Sequence, residues 1–104
     1  MSRHIPNARF QLNNAVQKLY GDRGRLVSSV EHIPSVNVCG QVLYMVKLTL
    51  QVEYQDNFGA CQRKPVGTGY DLRDDMASEK ACINALYYLD KHYPKTITIV
   101  YADQ

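Results

Sequence analysis

Residues 67–89, Gly67-Thr68-Gly69-Tyr70-Asp71-Leu72-Arg73-Asp74-Asp75-Met76-Ala77-Ser78-Glu79-Lys80-Ala81-Cys82-Ile83-Asn84-Ala85-Leu86-Tyr87-Tyr88-Leu89, decide the fold. Small residues recur at Ala77, Ala81 and Ala85, and Cys82, Leu86 and Leu89 complete one broad apolar side at helical spacing. A helix with such a face sits close against whatever it packs on. Asp71 is the expected N-cap, with Asp74 three residues on as a weak capping-box acid. The helix should run to about His92, and Pro94 stops it. Gly67-Thr68-Gly69 falls far short of a phosphate-binding loop and reads as a strand-to-helix turn.

Upstream, Asn7 is the expected cap of a first helix over about residues 8–20, with Ala8, Leu12, Ala15, Val16 and Leu19 on its apolar side. Gly21 stands where a helix C-terminus wants it. A first strand is expected over roughly residues 25–33 and a loop over 34–40. Then Val42, Tyr44, Val46, Leu48, Leu50, Val52 and Tyr54 occupy every second position. Period two over that length predicts a strand with one buried face. Asp56-Asn57-Phe58-Gly59 has turn chemistry. A third strand, roughly 60–66, contains Pro65 and so belongs at an edge. Residues 1–6 read as a loose arm. The β-prone tail Thr96-Ile97-Thr98-Ile99-Val100-Tyr101 should add a strand or pack on something, the outward residues Met76, Ile83 and Tyr87 being one surface that either it or a partner would cover. The expected class is α+β in the order α-β-β-β-α. Two helices cover one face of a three-stranded antiparallel sheet, in a single domain with its core at about 7–92 and a tail over 93–104.

The totals set bounds. A chain of 104 residues makes one modest core, and a net charge of +2 neither demands nor excludes nucleic acid. No apolar run reaches membrane-spanning length, and Met1-Ser2-Arg3-His4 lacks an apolar signal region. Three cysteines, Cys39, Cys61 and Cys82, with no close pair fit a reducing, intracellular setting, cytoplasmic or nuclear. His4, His32 and His92 are isolated, so no metal site or cofactor is expected. Asp71, Asp74, Asp75 and Glu79 are accounted for by capping and solvation, so neither an enzyme nor a small-molecule substrate is expected.

With these elements in place, residues 7–90 resemble the double-stranded RNA-binding domain. Leu12-Asn13 followed by Gln17-Lys18 is similar to that family's opening helix. The family's ending, K-K-x-A-K-x-x-A-A-x-x-A-L-x-x-L, lays its apolar positions without a gap on Ala77, Ala81, Cys82, Ala85, Leu86 and Leu89. These are packing positions and speak to fold. The three lysines that would reach RNA phosphates fall on Asp74, Asp75 and Ser78. Two cations have become anions, which repel a polyanion, although acids suit the positive end of the helix dipole. The family's glycine pair lies closer to the helix than Gly67 and Gly69 do, and its Gly-Pro-x-His loop is replaced by His32-Ile33-Pro34-Ser35.

The resemblance therefore implies a degenerate member acting through protein contact, as a homodimer or a small partner subunit, in RNA-silencing or RNA-processing machinery. The interface candidates are the outward stripe Met76, Ile83 and Tyr87, and the edge of the third strand at Cys61 and Arg63. The alternative is weak or non-standard double-stranded RNA binding through Arg9, Asn13, Lys18, Arg23, Arg25 and His32, with a dispersed solvated surface as the bland reading of the same charges.

Overall fold

The computed structural model describes residues 3–34, 42–53 and 61–103. A two-residue strand β1, Arg3–His4, precedes helix α1, Ala8–Tyr20, and a single 3-10 turn, Gly21–Arg23. Strands β2, Gly24–Pro34, β3, Val42–Glu53, and β4, Cys61–Asp71, follow, then helix α2, Asp74–His92, and the two-residue strand β5, Ala102–Asp103. The fold is α+β, α-β-β-β-α. The main sheet is antiparallel in the order β2-β3-β4. The expected turn at 56–59, Cys39 and most of the 34–40 loop lie outside the described residues.

The period-two pattern of β3 sets the layers. Val46, Leu48 and Leu50 point into the core with Leu12, Val16, Leu86 and Leu89, while Lys47 and Glu53 on the other face stay exposed. Both helices lie on that one inner face. Each buried leucine contributes about 1.5–3 kcal/mol by leaving water. No side chain among the described residues is both buried and polar.

Gly67-Thr68-Gly69 is not a turn; β4 continues through it to Asp71. A β-carbon placed on Gly67 would stand 2.3 Å from the Ala81 carbonyl oxygen and 2.8 Å from the Ala85 nitrogen. On Gly69 it would stand 2.2 Å from the Ala77 carbonyl oxygen and 2.5 Å from the Ala81 nitrogen. The Ala77-Ala81-Ala85 row therefore rests directly on strand backbone. Two glycines in extended conformation let the helix approach that closely, and the three alanines let it lie flat. Val66, just before them, sits at a break of register opposite Leu48 and Thr49, where β4 bulges.

The caps also differ in detail. The N-cap of α2 is Arg73, in extended conformation; Asp71 instead accepts the Arg73 backbone N–H at 3.2 Å. Asn7 does precede α1, with φ 51°, but its side chain makes no cap bond and the first turn closes through its carbonyl. Gly21 ends α1 with φ 60°, the left-handed region where glycine carries no steric penalty.

The arm and tail are tied to each other. Arg3 and His4 pair antiparallel with Asp103 and Ala102. Gln11 donates from Nε2 to the carbonyls of Pro6 (2.7 Å) and Val100 (3.0 Å), and its Oε1 accepts from the Val100 N–H at 2.9 Å. One side-chain amide thus offers Val100 both bonds of a strand neighbour. Ile5 and Ile97 are buried in the main core, so residues 3–5 are no loose arm. The tail runs along α1, against Phe10, Gln11, Asn14, Ala15 and Lys18, and leaves the outer stripe of α2 uncovered.

Candidate interaction surfaces

The start of α2 is where the family resemblance places phosphate contacts. Asp74 and Asp75 occupy its first turn and are exposed. Arg73 holds Asp75 with two bonds, Nε to Oδ1 at 3.2 Å and Nη2 to Oδ2 at 2.8 Å, and Asp75 Oδ1 also accepts the Met76 N–H at 2.9 Å. Lys80 is spent nearby: its Nζ donates to Asp71 Oδ2 at 2.7 Å and to the Tyr70 carbonyl at 3.3 Å. The Lys80 bond, then the Arg73 N–H, hold the Asp71 carboxyl below its ordinary range. Arg73 and Lys80 are thus paired with carboxylates, and the end of the helix that favours anions already faces two of its own. Ser78 is half-buried beside Arg9, Asp75, Glu79 and Cys82 around a hollow of about 400 Å³ between α1 and α2.

The basic residues do not converge. Arg9 opens toward Asp75 and Glu79. Lys18, nine residues on, is about half a turn round α1 and lines the groove under the tail. Asn13 is exposed on α1. Arg23 and Arg25 share a hollow with Asp22 and Glu53 at the far end of the sheet. His32, on β2, stands edge-on to Tyr44 with ring centroids 4.8 Å apart. Two of these environments, around Arg9 and around Arg23 and Arg25, mix both signs of charge, so no single basic face forms from them.

The apolar stripe on α2 is partly real. Met76 and Tyr87 are exposed, at 37% and 46%, but Ile83 is half-buried and packs against the core cluster. The β4 edge is guarded over its second half. Asn84 Nδ2 donates to the Thr68 carbonyl at 2.7 Å, and Lys80 reaches that of Tyr70, so two strand-edge acceptors are taken by α2 side chains. Lys80 and Asn84 are four apart on one helix face, which is why both reach the same strand. The first half, with Cys61 and Arg63, has no such cover, but it carries Pro65 and ends at the bulge. Cys61 accepts a bond from Gln51 Nε2 at 3.5 Å. Sequence reasoning passed over Gln11, Lys80 and Asn84; the helical spacing of the last two was the available signal.

Cys82 is buried, and burial pushes its thiol up, away from the reactive thiolate. Among the described residues no group of three or more His, Cys, Asp or Glu side chains could hold a metal ion, and no helix is long and apolar enough to cross a membrane. No family model, curated protein or solved structure matches this chain.

Proposed function

We propose that the chain is a protein-association module, a degenerate relative of the double-stranded RNA-binding domain that works by protein contact, as a homodimer or as the small partner of another protein. The observation that carries this reading is the start of α2, where Asp74 and Asp75 stand in place of phosphate-binding lysines and Arg73 and Lys80 are engaged by Asp75 and Asp71. An RNA backbone brought there would meet the carboxylates of Asp74 and Asp75, and would compete with Asp75 and Asp71 for Arg73 and Lys80. The scatter of Arg9, Lys18, Arg23, Arg25 and His32 over separate surfaces supports the same reading. The resemblance would place such a module in RNA-processing or RNA-silencing machinery.

Titration of a short RNA duplex at two salt concentrations tests it. The reading predicts no saturable binding in the micromolar range at physiological salt. Binding of that strength with a steep salt slope would overturn it in favour of the RNA-binding alternative. For the protein surface, Met76→Asp and Tyr87→Asp should leave the fold intact. If the α2 stripe is an interface they weaken association, and an unchanged assembly by light scattering removes that stripe.

A further inference from the structure

The sheet has two outer edges, and the chain treats them differently. β4 is bulged, contains Pro65, and has the Thr68 and Tyr70 carbonyls taken by Asn84 and Lys80. β2 has none of these devices. It runs eleven residues, pairs with β3 in unbroken register from Gly24 opposite Val52 to Pro34 opposite Val42, and its proline stands at its last position. It carries no lysine, and every residue from Val27 to His32 is exposed. A long, regular edge strand with β-branched residues is a template for another strand, and such edges are ordinarily blunted.

We infer that a second copy of this chain docks on β2, its own β2 running antiparallel about a two-fold axis, so that two three-stranded sheets become one. The inference rests on the reading that the chain works through protein contact. The sequence of β2 is self-complementary in one register. With Ser28 opposite Ser28 of the second copy, Arg25 meets Glu31, Leu26 meets Val30 and Val27 meets Ser29, each pair occurring twice by symmetry. Facing residues in an antiparallel pair share a face. The Arg25–Glu31 pairs fall on the open face of the sheet and the Leu26–Val30 pairs on the helix-bearing face, as the pairing of β2 with β3 fixes. Shifting the axis by one residue separates the charges. Neither Arg25 nor Glu31 belongs to an ion pair recorded among the described residues. Val27 and Val30 are 45% and 52% exposed, and pairing would cover both. Phe10 and Val100 are also exposed large hydrophobics, beside the groove between α1 and the tail.

Charge exchange tests the register. Solution mass is measured across a dilution series for the wild type, Arg25→Glu, Glu31→Arg and the double exchange, with circular dichroism confirming the fold of each. The wild type should dimerise. Each single change sets like charges opposite each other twice and should weaken the dimer by about 10-fold or more, and the double exchange should restore it. Ser28→Cys, in a background with the native cysteines replaced, should form a disulfide across the axis on mild oxidation. A wild-type monomer at all concentrations, single variants that associate like the wild type, or a double exchange no better than the singles would each overturn the β2 interface. A dimer that ignores the β2 variants but is lost in Tyr87→Asp would overturn it while leaving the association reading standing; RNA binding would remove the reading itself.

Discussion

Gly69→Ala probes the contact on which the fold turns. The added β-carbon would lie 2.2 Å from the Ala77 carbonyl oxygen, 2.5 Å from the Ala81 nitrogen and 2.9 Å from the Lys80 β-carbon. The two closest neighbours are helix backbone, which no rotamer change can move aside. Ordinary contact distances require α2 to retreat by about 1 Å, and a gap of that size forfeits a quarter to a half of the dispersion attraction along it. Overpacking typically costs about 1–3 kcal/mol, and an unyielding backbone puts this site at the upper end. Stiffening the unfolded chain returns roughly 0.4–1 kcal/mol, so the net loss should be about 2–3 kcal/mol. With a urea m-value of about 1–2 kcal/mol/M, the unfolding midpoint should fall by roughly 1–3 M. Gly21→Ala separates clash from backbone strain: it meets nothing within 4 Å, so its whole cost is conformational, at a φ of 60° and ψ of −138° open essentially to glycine. Because the clash is with backbone, adding Ala77→Gly should not rescue Gly69→Ala. A Gly69→Ala protein within about 0.5 kcal/mol of wild type would refute the close helix–strand contact.

Three other outcomes follow from particular groups. Gln11→Ala removes all three bonds that tie Pro6, α1 and Val100 together, so hydrogen exchange at the Val100 amide should accelerate while the α2 amides are unchanged; equal protection would show that Gln11 does not hold the tail. Burial, then the hydroxyl contact with Tyr93, raises Tyr20 to about 12. The folded form therefore keeps its proton longer than the unfolded one, and the contribution of Tyr20 to stability is intact below its ordinary value near 10 and lost as pH rises toward about 12. Tyr20→Phe should flatten that alkaline loss in a pH series of urea melts. Asp71 has the opposite sign: its carboxyl is lowered, so its contribution is present above the ordinary carboxylate range and lost as pH falls below it, and Lys80→Met should move the Asp71 carboxyl upward in an NMR titration.

Both main helices were legible from local rules. Ala8–Tyr20 and Asp74–His92 follow the 3.6 period, Gly21 and Pro94 mark the ends, and β3 follows period two. The second half of β4 was not, because Gly67-Thr68-Gly69 has the composition of a turn. Only the helix crossing it explains the glycines, and that contact spans eight or more residues of sequence. The tail was equally opaque: its partners Gln11 and His4 lie about ninety positions away. Of the candidate site, the acidic first turn of α2 could be read directly, and a helical wheel already parts Arg9 from Lys18. The pairing of Lys80 and Asn84 with β4 carbonyls needed the strand to be placed first, and so did the contrast between a guarded β4 edge and an open β2.

Sedimentation of the chain mixed with a short RNA duplex at physiological salt tests the central claim most directly. Association through protein predicts a species of twice the chain mass, with the RNA sedimenting at its own rate. A chain that stays monomeric and moves with the RNA would contradict it.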